Sequence, residues 1–255
     1  MIYLVDREPY PSRVAASWDW NKVVRAEYTD IVYMELALEA KQTWATDPLF
    51  KPFYHESGIL WISDGNFAQT VAENYKILNA TEELRVICPN EAKSLYDGLF
   101  AEADYTGVTE VIVNPNSGWA AAKEALTAVI DAAVRGGVKY VSGVVSAIEF
   151  ESNGCTKGIR FSDGRTISAS YTILSTGAGT GKLLADSGPE RDELQPSERL
   201  VAAAVCTGLV KLDTETAEKI SKGPVCCQHT PPRPGLSRPG DIIVAPYPYL
   251  FGSSS

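Results

Sequence analysis

The hydrophobic and polar positions of this chain alternate between runs typical of strands and spacings typical of helices. The first apolar run, residues 2–5, has strand character and ends at once in Asp6. From 30 to 46 the apolar positions recur near helical spacing, and Asp30 can cap that helix. Further elements are predicted as follows: a strand at 54–62 interrupted at Gly58, helices over 66–104, and a strand at 107–113.

The middle of the chain predicts a crossover between parallel strands. A helix over 119–134 is followed by two glycines and an apolar run at 138–141, the order of a helix that returns to a parallel sheet. Three short strands are then predicted at 144–151, 156–161 and 166–171. The turns between them contain glycine, which predicts that neighbouring strands form hairpins. A fourth apolar run, 171–174, leads into the glycine-rich segment 175–181.

Beyond Leu184 the pattern is less regular. It predicts, in order, a polar linker at 186–199, a strand at 200–210, a helix starting near Asp213, coil at 223–240 and a last strand at 242–245. The alternation of strands and helices over the whole chain predicts an α/β protein.

Composition and charge narrow the class of protein. The 255 residues are 45% hydrophobic and 22% charged, as in an ordinary globular protein with one large or two smaller domains. A net charge of −9 without a basic stripe argues against a nucleic-acid binder. No apolar run approaches the roughly 18–20 residues of a membrane span, and the charges in the first ten residues do not fit a signal peptide. We therefore expect a cytoplasmic protein, or one of an organelle matrix, that binds neither nucleic acid nor membrane.

The cysteines and histidines give little support to a metal site or a disulfide framework. The five cysteines match no zinc spacing, and their odd number argues against a complete set of disulfides. The adjacent Cys226 and Cys227 are either a strained redox pair or two free thiols, and the strain favours free thiols. Only His55 and His229 are present, so we expect no metal site built from several histidines.

Three segments carry candidate chemistry for a nucleotide cofactor. Asp6 follows a strand, where a carboxylate can accept hydrogen bonds from both hydroxyls of an adenosine ribose, although any strand can end in aspartate. Gly177 opens a glycine-rich turn before a helix, where backbone N–H groups can approach a phosphate, although a plain turn is the alternative. Lys22 is either a solvated surface lysine or a cation that stabilises negative charge beside a flavin.

The position of Asp6 also predicts an element that the chain does not contain. In a dinucleotide-binding βαβ unit, a first strand, a glycine-rich turn and a first helix precede the strand that ends in the acidic residue. Residues 2–5 would be that second strand. The sequence therefore predicts a fold without its first βα unit.

Longer motifs resemble one family. Asp6-x-x-Pro9-Tyr10-Pro11-Ser12 and Asp19-x-Asn21-Lys22-Val23 are similar to the flavin-contacting stretch of the fungal fructosyl amino acid oxidases, or amadoriases. These are relatives of monomeric sarcosine oxidase among the D-amino-acid-oxidase-like FAD-dependent oxidoreductases. The resemblance covers most of residues 1–210 and continues through Asp47-Pro48-Leu49-Phe50-Lys51-Pro52-Phe53-Tyr54-His55, Gly118-Trp119-Ala120, 137–143 and 172–181.

The resemblance implies an FAD enzyme that oxidises the C–N bond of a secondary amine to an imine, with O₂ as the electron acceptor. The substrate would be a small molecule, a glycated or N-alkylated amino acid, and the enzyme would be a monomer. Lys22 would be the catalytic lysine, beside the flavin ring, where it influences reactivity with oxygen.

The resemblance also implies which residues bind the cofactor. Asp6 would hold the adenosine ribose, and Val144 would contact adenine through its backbone. The others would line the pyrophosphate, the ribityl chain or the isoalloxazine ring: Ser12, Lys22, Val23, Thr176, Gly177 and Ala178.

The implied fold is α/β, with an incomplete Rossmann-like FAD-binding domain of the glutathione-reductase type and a mixed, largely antiparallel substrate domain. The FAD-binding domain would comprise 1–47 and 114–185, and the substrate domain 48–113 and 186–255. The chain departs from the family by lacking the glycine-rich first turn and the C-terminal part that carries the flavin-bonding cysteine. Residues 246–255 do not resemble the family either. We therefore expect a chain truncated at both ends, without the peroxisomal tripeptide frequent in the family.

Two alternatives stay open. One is a tailoring oxidase of fungal secondary metabolism that oxidises a peptide-like or alkaloid-like amine with FAD. The other is an inactive, truncated remnant of the family that does not bind flavin.

Overall fold

The computed structural model describes residues 1–63, 65–80, 83–203, 208–229 and 241–244, and it forms short sheets flanked by helices. The strands are β1 (Tyr3–Asp6), β2 (Lys22–Val24), β3 (Tyr54–His55), β4 (Ile59–Ser63), β5 (Arg85–Ile87), β6 (Glu110–Asn114), β7 (Gly118–Ala120), β8 (Lys139–Ser142), β9 (Val145–Phe150), β10 (Thr156–Phe161), β11 (Thr166–Ser168), β12 (Val225–His229) and β13 (Asp241–Val244). The α-helices are α1 (Ile31–Thr46), α2 (Phe67–Ile77), α3 (Pro89–Ala92), α4 (Ala122–Arg135), α5 (Thr180–Ser187) and α6 (Thr214–Ser221).

The chain divides into two compact units, and each unit is assembled from two stretches of sequence. Unit 1 comprises Met1–Trp18 and Leu126–Val210, and unit 2 comprises Asp19–Ala125 and Lys211–Ser255. The domains predicted from the sequence are discontinuous as well. Their boundaries, after residues 47, 113 and 185, stay a prediction.

Unit 1 contains the predicted parallel crossover. β1 pairs in parallel with β8, so that Asp6 lies opposite Ser142, and most of α4 belongs to the same unit. The predicted hairpins are confirmed, because β10 pairs antiparallel with both β9 and β11. In the sheet of β9, β10 and β11, Ile148 and Phe161 are buried.

Unit 2 is built on a five-stranded mixed sheet in the order β13-β12-β4-β6-β5. One pair, β12 with β4, is parallel, and the other pairs are antiparallel. Every residue of β4 is buried, and its side chains alternate between two hydrophobic clusters, Ile59 and Trp61 in one and Leu60 and Ile62 in the other. The predicted α/β class is thus confirmed, and so is the prediction of a mixed, largely antiparallel sheet.

A smaller antiparallel sheet in unit 2, with the order β2-β7-β3, carries the predicted lysine. Lys22 lies opposite Ala120, and Val23 lies opposite Trp119. On the other side of β7, His55 pairs with Trp119. The close approach of β3 requires Gly118, because a Cβ there would lie 2.0 Å from the carbonyl oxygen of His55.

Three predicted element assignments are wrong in part. The helical region 66–104 contains β5, because Asn79 turns the chain with a φ of +50° and Ile87 is then buried where β5 pairs with β6. The helix predicted from 119 begins only at Ala122, since 118–120 form β7. The coil predicted at 223–240 contains β12, whose Val225 is fully buried.

Two predicted strands do not form in the described residues. Residues 171–174 have no regular secondary structure, and Tyr171 and Ile173 are 89% and 91% exposed. The described parts of 200–210 are also irregular, and 204–207 lie outside the described residues, as do Cys206 and the tail 246–255. None of the described helices has the length and apolar character needed to cross a membrane.

Candidate functional site

Asp6 ends β1 with its carboxylate held in a defined orientation. Its Oδ1 accepts hydrogen bonds from the backbone N–H of Glu8 at 3.0 Å and from the hydroxyl of Ser12 at 2.9 Å. Ser12 is only 4% exposed, so this hydroxyl is shielded from water. Oδ2 of Asp6 accepts no hydrogen bond from the described residues. The carboxylate therefore keeps one oxygen for a ligand at the carboxyl end of a parallel strand.

Two tyrosines anchor the segment that follows Asp6. The hydroxyl of Tyr140, on β8, donates to the carbonyl of Glu8 at 2.7 Å, and the ring of Tyr10 packs edge-on against Tyr140 at 4.9 Å. A hydrogen bond with Asp131, on α4, and the charge of that carboxylate raise the pKa of Tyr10. Burial, followed by the charges of Asp6 and Glu8, raises the pKa of Tyr140. Both phenols therefore stay neutral and keep donating their hydrogen bonds at physiological pH.

The glycine-rich segment forms an exposed turn in front of α5. Residues 177–179 make one turn of 3₁₀-helix, in which Gly177 has a φ of +52°. Cβ atoms built at Gly177 and Gly179 would meet no atom within 4 Å, so the turn is open to a ligand. Gly179 is the N-cap of α5 and has no side chain to cap the first helical N–H groups. Such a helix start favours an anionic group.

Val144 lies between β8 and β9, on the surface of unit 1. Its side chain is 54% exposed, and its carbonyl accepts a hydrogen bond from the backbone N–H of Ser162 at 2.8 Å. The structure places Asp6, Ser12, Val144 and the turn 176–178 in the same unit. It brings Asp6 and Ser12 into direct contact; the common cofactor site of all these residues stays a prediction.

Lys22 and Val23 lie on β2, in unit 2. The ammonium of Lys22 lies 3.0 Å from the carboxylate of Asp19, and its side chain is 47% exposed. An exposed ion pair of this kind contributes little stability, so Lys22 is available to another anionic partner. Its role beside a flavin stays a prediction.

A cavity that the sequence did not predict opens beside Val23. Its volume is about 510 Å³, and it is lined by Val23, Val24, Arg25, Tyr28, Tyr33, Leu36, Ala37, Ala40, Lys41 and Trp44. The cavity therefore lies between the end of β2 and one face of α1. Its walls are aliphatic and aromatic, with two cationic side chains.

Arg25 is the cation with the most defined position in this cavity. Its guanidinium stacks between the rings of Tyr28, at 4.1 Å, and Trp61, at 4.3 Å, and it donates a short hydrogen bond to the carbonyl of Glu27. Within the described part of the chain Arg25 forms no salt bridge. Stacking on two rings fixes a guanidinium while leaving its charge unpaired. This arrangement suits a carboxylate-bearing ligand.

Some residues that line the cavity could have been recognised from their spacing along α1. Tyr33, Ala37 and Lys41 follow one another at intervals of four residues and therefore share one face of the helix. Lys41 lies on that face and is 7% exposed, which is rare for a lysine. The signal was hidden because neighbouring apolar positions of α1, such as Met34, predict the same helix without it.

His55 and the two adjacent cysteines are the other titratable groups of interest in unit 2. His55 stacks on Trp119 at 4.0 Å, and burial lowers its pKa. Cys226 and Cys227 form no disulfide within the described part of the chain, and burial raises the pKa of Cys226 to about 11. A thiol with that pKa stays protonated at physiological pH, so Cys226 is a weak nucleophile there.

Comparison with known proteins adds the family context. The sequence profile of the family described as FAD dependent oxidoreductase matches residues 2–222. L-saccharopine oxidase of Schizosaccharomyces pombe is 30% identical over 193 residues, which cover 69% of this chain and 45% of that protein. The chain thus spans about half the length of the relatives it matches.

Solved structures of fungal oxidases have the same fold. The deglycating fructosamine oxidase of Aspergillus fumigatus (Amadoriase II) matches with a TM-score of 0.65 and 25% identity, covering 88% of this chain and 50% of that one. A modified fructosyl peptide oxidase of Aspergillus nidulans matches with a TM-score of 0.65 and 20% identity, covering 88% and 52%. The second likeness, at its low identity, concerns the fold alone.

The residues present in unit 1 fit the chemistry of FAD. The open turn at Gly177 and Gly179 precedes a helix start without a side-chain cap, which favours a phosphate, although the N–H groups of Gly179 and Thr180 already donate to the carbonyls of Thr176 and Gly177. The second carboxylate oxygen of Asp6 provides an acceptor for ribose hydroxyls. Unit 1 thus offers a carboxylate oxygen and a helix start that each suit the adenosine diphosphate half of the cofactor.

Proposed function

Because the chain belongs to the family of FAD-dependent oxidoreductases, we propose that it oxidises the C–N bond of an amino-acid-derived secondary amine, with O₂ as the final electron acceptor. The relatives it matches are named as oxidases of saccharopine, fructosyl peptides and fructosamine, which supports an amino-acid derivative as the substrate class. Bound FAD would supply the hydride acceptor.

The side chains of unit 1 would bind and orient the cofactor. Asp6 would accept hydrogen bonds from the ribose through Oδ2, while Ser12 fixes its carboxylate through Oδ1. The backbone of 176–178 would lie along the pyrophosphate and the ribityl chain. Lys22 would stabilise negative charge on the reduced cofactor and on oxygen, once it is drawn away from Asp19.

The cavity of unit 2 would bind the substrate, and the unpaired guanidinium of Arg25 is the observation that carries this proposal. A carboxylate placed against Arg25 would gain a charge-assisted hydrogen bond that the described residues do not already supply. The aromatic and aliphatic walls would hold the rest of the substrate.

The same cavity would also favour the form of the amine that reacts. Apolar walls disfavour an ammonium ion, and the cations Arg25 and Lys41 disfavour it further, so the amine bound there is neutral. A neutral nitrogen has the lone pair that assists hydride loss from the adjacent carbon. The cavity thus selects an anionic carboxylate and a neutral amine in one molecule.

Purified protein titrated with FAD and then with N-alkylated amino acids tests the proposal. We expect saturable FAD binding, bleaching of the flavin absorbance by the substrate without oxygen, and peroxide release when oxygen returns. Arg25→Gln should raise KM for a carboxylate substrate at least about tenfold, the loss of one charge-assisted hydrogen bond, and leave KM for the decarboxylated amine unchanged. Protein that binds no FAD, or equal KM changes for both amines, would refute the proposal.

A further inference from the structure

A buried polar cluster lies behind the wall of the cavity in unit 2. Glu27 is completely buried, and its Oε1 accepts hydrogen bonds from Asn114 at 2.7 Å, Ser117 at 2.9 Å and Tyr75 at 3.3 Å. Asn114 and Ser117 are also fully buried, and Tyr75 is 4% exposed. The cluster joins the segment after β2 to α2, to the last residue of β6 and to the β6–β7 turn.

Stability alone does not account for this cluster. The second carboxylate oxygen, Glu27 Oε2, is buried and has no hydrogen-bond partner among the described residues. A buried carboxylate with one unmatched oxygen is costly, and an apolar side chain of the same shape would avoid that cost. The carboxylate therefore serves something other than the packing of unit 2.

The backbone of Glu27 connects the cluster to the cavity. The carbonyl of Glu27 accepts the hydrogen bond from the guanidinium of Arg25, and the next residue, Tyr28, supplies one of the two rings that stack on it. Asn74 on α2 holds the neighbouring backbone as well, donating to the carbonyls of Tyr28 at 3.2 Å and Thr29 at 2.9 Å. Side-chain and backbone anchors thus fix the segment on which Arg25 depends.

We propose that Glu27 is a positioning residue for Arg25, which rests on the proposed role of the cavity in binding a carboxylate. The three donors to Oε1 immobilise the Glu27 side chain, the immobilised backbone carbonyl orients the guanidinium, and the guanidinium meets the ligand at a fixed angle. Glu27 touches no ligand itself. Its loss lowers affinity for carboxylates through a misplaced Arg25.

Benzoate and benzamide are suitable probes, because they have the same shape and only benzoate carries a charge. Glu27→Leu removes the acceptor and keeps the side-chain bulk. By calorimetric titration we expect it to weaken benzoate binding about tenfold and to leave benzamide binding unchanged. Glu27→Gln, which can still accept the three hydrogen bonds, should restore most of the benzoate affinity.

A double-mutant cycle separates positioning from a structural role. With Arg25→Gln already present, Glu27→Leu should not weaken benzoate binding further, although it should lower the melting temperature as before. Val111→Ala, in the other hydrophobic cluster of unit 2, is the control: it should lower the melting temperature without changing benzoate affinity.

The outcomes distinguish this inference from the proposed function. If Arg25→Gln leaves benzoate binding unchanged, the proposed role of the cavity fails. If Arg25→Gln weakens it and Glu27→Leu does not, or if Glu27→Leu weakens benzamide equally, the positioning role is overturned. If Glu27→Leu does not fold, Ser117→Ala replaces it as the test, because it removes one of the three donors to Glu27. We expect Ser117→Ala to weaken the binding of benzoate and to leave the binding of benzamide unchanged. Unchanged benzoate binding in that variant overturns the positioning role as well.

Discussion

Asp6 combines two hydrogen-bonding roles in one carboxylate. Oδ1 closes the turn to Glu8 and holds the buried hydroxyl of Ser12, while Oδ2 faces no donor among the described residues. A side chain that is fixed by its own protein loses little entropy when a ligand binds to its remaining oxygen. In the proposed cofactor site, Ser12 would therefore act through Asp6, by holding its carboxylate in place.

The substitution Asp6→Ala tests this carboxylate directly. We expect FAD affinity to fall by roughly 1–3 kcal/mol, because the ribose hydroxyls lose their acceptor. Titration of the apoprotein, followed by flavin fluorescence, measures the change. Asp104→Ala is the matched control, since Asp104 closes a similar turn with Thr106 at 2.9 Å but lies in unit 2. An unchanged FAD titration in Asp6→Ala would contradict the assigned role.

The position of a single residue could be predicted where it depends on its neighbours in the sequence. Asp6 is the last residue of its strand, and Asp30 caps α1 as predicted, with its carboxylate accepting from the N–H groups of Val32 and Tyr33. Arg25 was not predictable, because its environment comes from Trp61, which is far away in sequence. The same holds for Glu27, whose three partners come from α2, from the end of β6 and from the turn that follows it.

At the scale of elements, β2, β7 and β3 form the sheet that carries Lys22, and their pairing depends on close backbone approach. We expect Gly118→Ala to lower the free energy of unfolding by roughly 3 kcal/mol, at the upper end for a point mutation. The cause is the 2.0 Å separation between its Cβ and the carbonyl oxygen of His55. Chemical denaturation measures the loss. Gly179→Ala, where a Cβ meets nothing within 4 Å, should change stability little, and equal losses in both variants would refute the steric explanation.

The stack between β3 and β7 makes stability depend on pH. Burial lowers the pKa of His55 below its ordinary value of 6.5, so the unfolded chain binds a proton more readily than the folded protein. The contribution of the neutral imidazole is therefore complete above that value. It is lost as pH falls from about 6.5 towards the lower pKa of the folded state.

An NMR titration of the His55 imidazole should show a midpoint below 6.5. Melting temperatures between pH 7 and 5 complete the test. His55→Phe keeps an aromatic ring on Trp119 but cannot titrate, so it should decrease the fall in melting temperature over that range. An equal fall in both proteins would show that other groups cause it.

Helices and strands were predicted well where the apolar residues recur at one regular spacing. α1 and the hairpins β9–β11 have regular spacing and clear turn residues, and both form as predicted. β5 and β12 were missed, because three or five residues carry too little pattern to show that a neighbouring strand will pair with them. Pairing across long separations in sequence decides such strands.

At the scale of the whole molecule, the family assignment came from motifs, whereas the division into units came from contacts. The motifs predicted an FAD oxidoreductase fold, which the family match and the solved structures confirm. The segment 171–174 has a strand sequence but remains irregular, because no described strand pairs with it, and its Ile173 stays exposed. A strand sequence forms a strand only where a partner supplies hydrogen bonds.

The helix α4 runs from Ala122 to Arg135, and unit 1 resumes at Leu126, within its second turn. Domains are usually joined by exposed linkers, which proteases cut and which gene fragments follow. Here a protease would first have to unwind a helix, and a shortened gene ending at this boundary would leave both halves of α4 without their hydrogen-bonding turns. A fragment meant to carry one unit alone must therefore join two stretches of sequence, and its cut belongs before Ala122 or after Arg135, so that α4 stays whole.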